Sequence, residues 1–216
     1  MRTTTMSAFG SPRRTGMSAA ALVVLAGALA LACVVLALSA PPAQSAEEQR
    51  RAATTPVSGG RTVLELDRGT AAALADAGIS VKATGPAIGP AGSTVFAFPI
   101  VGGKVNKAQL SGRIVHSGGL AFTGGGERLV VKRFVIDLRR GVLTAKVAGA
   151  GVRVPLLRLG TPTGGVQVAP GLLVLRGVNA RLSAPAAGAL NQTFDTDLFE
   201  AGLPIGKATV IARTGS

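Results

Sequence analysis

The sequence predicts a mainly β domain, an antiparallel β-sandwich or barrel-like fold with two short alanine-rich helices. Three observations point there. From Arg61 onward the chain consists of short apolar runs separated by glycine groups, as in β-rich domains. In VVKRFVID, Val131, Arg133, Val135 and Asp137 alternate with Lys132, Phe134, Ile136 and Leu138, the pattern of a sheet with one buried face. No long helical pattern separates the runs, which favours a sandwich or barrel over an α/β fold.

The predicted strands cover 62–66, 80–84, 95–101, 110–116, 120–123, 128–137, 142–147, 152–159, 172–175, 179–182 and 207–212. Gly102-Gly103, Gly118-Gly119, Gly124 to Gly126 and Gly164-Gly165 fall between them, where turns call for positive φ. Asp67 is placed to N-cap a helix over RGTAAALADA that stops at Gly78, and Ser183 to cap one over APAAGALNQTF, with Pro185 in the first turn. LELDRGTAAAL (64–74) and ARLSAPAAGAL (180–190) align at a constant offset. Both read as a strand that caps directly into an alanine helix, two equivalent units bracketing a β-meander.

Residues 1–45 read as a signal peptide. Arg2, Arg13 and Arg14 precede a charge-free apolar run over 19–38, and the small-residue stretch SAPPAQS follows, the n-, h- and c-region order of a secretory signal. Cleavage is expected after Ser45 or one residue later; the alternative is an uncleaved N-terminal membrane anchor. Pro12 and Gly16 around Arg13-Arg14 fit the twin-arginine route poorly. Cys33 lies inside the apolar run, which argues against lipidation. Residues 46–60 read as a flexible linker and 61–216 as a single β-rich domain. The protein is expected to be secreted or held at the cell surface. Abundant Ala, Gly, Val and Arg beside scarce lysine suggest a GC-rich bacterial genome.

Loss of the leader takes 23 basic residues to 20 against 10 acidic ones, a net charge of +10, and removes Cys33, the only cysteine. The exported chain therefore has no disulfide partner and no thiolate site. Its scattered positive charge suggests anionic cell-wall polymers or a membrane surface as partners. Nucleic acid is not expected, since the protein is exported and has no tyrosine or tryptophan on which bases could stack.

Catalysis finds little support. His116 is the only histidine, no nucleophile elbow accompanies it, and the acids are scattered rather than paired. GGGERL has no lysine to hold a phosphate. Asp195, Asp197 and Glu200 form the sharpest acidic cluster and are weak metal candidates, because they lack the pattern of a calcium loop; turn and cap chemistry is the expected role. Asn191-Gln192-Thr193 matches a glycosylation sequon that carries no weight in a bacterium. His116, Phe96, Phe98 and Phe122 are the candidate ligand-binding residues. Phe96 and Phe98 share one face of their strand. In GRIVHSGGLAF, His116 is expected to end a strand before a Gly-Gly turn, chiefly as a turn-stabilising residue.

HSGGL (116–120), the meander after it and LSAPAAGALNQTFDTDLFEAGLPIGKATV (182–210) resemble the Htaa-domain proteins of actinobacterial haem uptake. His116, Gly118 or Gly119 and Leu120 match one element of that pattern; Leu182, Ser183, Ala187, Phe199 and Gly202 match another. The resemblance spans residues 95–212 with loose motifs. It implies a secreted β-sandwich-like module and haem as a cofactor, bound in that family through an axial tyrosine supported by a histidine. This chain has no tyrosine, so haem would require His116 itself as the ligand. The residues alone suggest no cofactor. The expected function is a non-catalytic secreted or envelope-associated binding module. A carrier of haem or a small apolar ligand that uses His116 is the alternative, and an enzyme comes last.

Overall fold

The computed structural model describes residues 54–215; the signal peptide or anchor expected over 1–45 lies outside the described residues. The elements in chain order are β1 (Thr55–Leu66), α1 (Arg68–Asp76), β2 (Ser80–Thr84), β3 (Val95–Asn106), β4 (Ser111–His116), β5 (Gly119–Gly124), β6 (Glu127–Asp137), β7 (Val142–Val147), β8 (Arg153–Pro162), β9 (Val166–Ala169), β10 (Leu172–Leu182), α2 (Ala184–Phe194) and β11 (Pro204–Thr214). The strands pair antiparallel in the order β6-β4-β3-β1-β11-β10-β8-β7, and β7 returns to β6, closing an eight-strand barrel. Off this ring, β5 pairs with β6, β2 with β5 and β9 with β10. The expected alternatives thus resolve to a barrel. Every strand of the ring lies between Thr55 and Thr214, so this span closes its own sheet and packs its own core.

Alternation along the strands puts one face inward. In β3, Phe96, Phe98 and Ile100 are buried while Val101 is exposed; in β11, Ala208, Val210 and Ala212 are buried. Strands β1 and β10 both pair antiparallel with β11, so they run the same way and deliver both helices to one end of the barrel. Asp67 accepts the N–H of Thr70 at 3.1 Å, and Ser183 accepts that of Ala186 at 3.3 Å, so the two strand–helix units do cap alike. Ala186, Ala187 and Leu190 of α2 are buried in the core, against β8 and β6. The turns β3–β4, β6–β7 and β8–β9 lie at the opposite end, as the strand directions require.

Several expectations change. β1 starts at Thr55, so the last six residues of the 46–60 stretch are strand rather than linker; Thr55 pairs with Val105 and Gly60 with Ala212. Gly102-Gly103 is not a turn but a bulge inside β3, where the register shifts between Ile100 and Gly102. The runs 172–175 and 179–182 form the single strand β10, bent by a register shift between Leu175 and Val178. β9 is an additional strand. Barrel strands must coil to close, and bulges supply the local bend. A glycine near mid-strand therefore gives the same sequence signal as a turn.

The largest change concerns GRIVHSGGLAF. β4 and β5 are not two arms of a hairpin. Arg113 pairs with Asp137 and Gly119 with Lys132, so both lie in line along the same edge of β6. On the other side β4 pairs with β3 and β5 with β2. The sheet divides at residues 116–119, and β5 with β2 leaves the ring there. A Cβ on Gly118 would stand 2.6 Å from the backbone nitrogen of Ala87, and one on Gly119 would stand 2.8 Å from Oγ1 of Thr84. Close approach, not reversal of the chain, requires these glycines. Opposite them Arg133 takes φ 56°, and the register of β6 shifts between Lys132 and Val135. That bulge is why Val131 and Phe134 are both buried, where strict alternation had placed them on opposite faces.

Candidate functional site

The barrel is not filled. A cavity of about 390 Å³ occupies its interior, within the range of small-molecule sites. At the helix end its lining includes Leu64 and Leu120; at mid-barrel Thr62, Phe98, His116, Phe134, Leu156 and Val210; toward the turn end Leu110, Leu143, Leu159 and Pro162. The residues Leu138, Arg139, Arg140 and Gly141 of the β6–β7 turn complete the lining at its mouth. Leucine therefore dominates the wall, and formal charge is confined to the turn end, where Asp137, Arg139 and Arg140 stand.

His116 closes β4 opposite Ile100 of β3, and Thr62 of β1 pairs with Phe98 on the other side of β3. Their side chains meet across β3: Thr62 Oγ1 lies 2.7 Å from His116 Nε2. His116 is 2% exposed and Thr62 5%. Burial lowers the His116 pKa from 6.5 to about 4, with the backbone of Phe134 opposing the fall. The imidazole is thus neutral at pH 7. Nδ1 has no hydrogen-bond partner; the Phe134 backbone is close enough to favour the protonated ring but outside hydrogen-bond geometry. The turn-stabilising role expected for His116 is corrected on two counts, since no turn follows it and its partner is a threonine 54 residues away in sequence.

Of the four candidate ligand-binding residues, the structure brings two to the lumen. Phe98 lines it and packs edge-to-face on Phe134, with ring centroids 5.1 Å apart. Phe96 shares that face and is fully buried, but it lies nearer the helix end with its ring over Gly89, away from the cavity lining. Phe122 belongs to β5, which has left the ring, and does not reach the cavity. Thr62 and the leucines carried no signal in the sequence beyond the strand pattern.

Asp195 C-caps α2 in the left-handed region at φ 48°. Nearby, Asn191 holds the loop by donating to the Phe199 carbonyl at 2.8 Å and accepting its N–H at 2.9 Å. Among the described residues no three of His, Cys, Asp and Glu come together in a way that could hold a metal, so Asp195, Asp197 and Glu200 do not form a ligand set. A haem iron would need a nitrogen, sulfur or phenolate donor aimed into the lumen. Nε2 of His116 is held by Thr62, and Nδ1 is buried without a hydrogen-bond partner. No tyrosine exists, and no cysteine follows Cys33 or methionine Met17. This leaves Nδ1 of His116 as the one donor of those kinds that a haem iron could take.

Neither a protein-family model nor a curated protein matches the chain. Among solved structures, its fold is similar to the C-terminal domain of HtaA from Corynebacterium glutamicum, with a TM-score of 0.54 at 17% identity over 74% of this chain and 99% of that one. The heme binding protein HtaB from Corynebacterium glutamicum matches at a TM-score of 0.42 and 12% identity, over 74% of this chain and 94% of that one. The Hta-like resemblance is one of fold. No helix among the described residues is long and apolar enough to cross a membrane.

Proposed function

We propose that this protein is a non-catalytic binding module of the bacterial cell envelope that carries a small apolar ligand inside its barrel. The lumen supports the reading: a cavity of about 390 Å³ walled mainly by leucine, with Thr62 and His116 bonded to each other. Closed antiparallel barrels of eight strands are wide enough to hold one small ligand. A non-catalytic role follows from the side chains available. The single imidazole is buried on the Thr62 hydroxyl, and the one acid that lines the cavity, Asp137, stands at its mouth, so no third group orients the ring for proton transfer.

Nile red, a neutral apolar dye, tests the lumen. Saturable one-to-one binding with a blue-shifted emission is expected. Ala208→Trp should weaken it about tenfold or more by filling the space beside Val210. Absence of saturable binding to the folded wild-type protein would overturn the reading. Haem remains the second reading, on the strength of the Hta-like resemblance. A haemin titration is expected to show no Soret change that depends on His116; loss of such a change in His116→Ala would restore haem.

The envelope location rests on the predicted leader and the net charge of +10 after its removal. Anionic wall polymers or a membrane surface are the proposed partners. Retention on purified cell wall should fall steeply as salt rises from about 0.05 to about 0.5 M, because screening shortens the reach of exposed charges. Equal retention at both ends of that range would remove the electrostatic partner from the proposal.

A further inference from the structure

We propose that the lumen takes a single-chain anionic amphiphile, in its simplest form a long-chain carboxylate, seated tail inward with its head group on Arg139 and Arg140. The inference rests on the lumen reading above and adds the head group to it. Deep in the barrel nothing answers a charge. His116 is neutral and engaged with Thr62, the surrounding wall is leucine and phenylalanine, and an unpaired ion buried there would be strongly disfavoured. A charged group on the ligand must therefore stay at the mouth.

The mouth is built to receive one. Arg139 and Arg140 line it and are exposed. Among the described residues, the single ion pair is Arg113 with Asp137, at 3.8 Å. Asp137 is the acid that also lines the mouth, and it is doubly engaged: besides Arg113 it accepts the backbone N–H of Arg140 at 3.0 Å. That bond caps the turn through its backbone and leaves both guanidinium groups without a carboxylate. Each guanidinium offers a planar fork matched to two oxygens of one carboxylate. Lys107, in the neighbouring β3–β4 turn at the same end, adds to the positive field that draws an anion in. The cavity lining runs from these arginines past His116 to Leu64, near the far end of β1, a course along the barrel axis that a chain follows better than a disc.

The experiment uses the protein spanning 46–216, which contains the whole closed barrel, with Nile red bound and two competitors of equal chain length, hexadecanoate and hexadecanol. Hexadecanoate should displace the dye one-to-one and about tenfold more effectively than hexadecanol, and the advantage should shrink as salt is raised. Arg139→Ala/Arg140→Ala, both at exposed positions, should bring hexadecanoate down to the level of hexadecanol with little change in thermal midpoint. Equal displacement by both competitors in the wild-type protein, or an unchanged advantage in the variant, overturns the head-group assignment while the lumen reading stands. If neither competitor displaces bound dye, the amphiphile class is wrong. If Nile red itself fails to bind, the lumen reading falls and this inference with it.

Discussion

The two ends of the barrel are built from the same strands yet resolved differently. At the helix end, β1 and β10 run straight into capped helices, and Leu74, Ala186, Ala187 and Leu190 bury themselves in the core. At the turn end the strands finish in short connections, and leucines such as Leu110, Leu138 and Leu143 remain only partly buried beside open space. An alanine helix supplies small side chains that fit close against the barrel, and its cap satisfies the backbone groups it exposes. A short turn brings no such plug. Packing is spent at one end, and space is left at the other.

That contrast is open to measurement. Leu190→Ala should cost about 3 kcal/mol of stability in urea unfolding, as for a leucine in a closed core whose removal leaves a void. Leu143→Ala should cost about 1 kcal/mol, because this side chain is only partly buried and already borders a cavity. Equal costs would mean that the turn end is as tightly packed as the helix end.

His116 sits between the two regions, and its titration probes the lumen that joins them. Its folded pKa of about 4 lies below the ordinary 6.5, so the unfolded chain binds the proton first. Stability is full above about pH 6.5, falls as pH drops toward 4, and levels off below that, where the folded protein also protonates. The fall should reach about 3 kcal/mol from this group, and His116→Gln should remove most of the slope in that window. An unchanged slope in the variant would place the titration elsewhere and would argue that the lumen around His116 is wetter than its burial implies.

How much was legible depends on which kind of signal each feature used. Asp67 and Ser183 announced their helices because capping is local: one side chain, three residues and one N–H. Strands β2, β6 and β7 were likewise read nearly to their ends from alternation and flanking glycine. Gly103 and Gly118 misled, since a bulge and a sheet division use the same residue as a turn, and only the partner strand distinguishes them. The bulge at Arg133 left no trace, because arginine rarely adopts positive φ and nothing in VVKRFVID marks it. His116 and Phe98 were singled out for their chemistry, but Thr62, Arg139 and Arg140 were not, for as residues they are ordinary. Their role arises where three distant parts of the chain converge on one lumen.

By itself the sequence determined a β-rich domain with two capped alanine helices, a basic chain, and an inventory with one imidazole, no tyrosine and no thiol after Cys33. These are matters of composition and short-range pattern, and short-range physics suffices for them. The tertiary structure alone decided that the sheet closes into a barrel, that β4 and β5 form one divided strand rather than a hairpin, and that His116 meets Thr62 across β3. Closure and register depend on hydrogen bonds between strands far apart in the chain, such as β6 with β7 and β1 with β11. Whether a histidine faces a core, a turn or an open lumen is settled by those pairings, since its neighbours in sequence are not its neighbours in space.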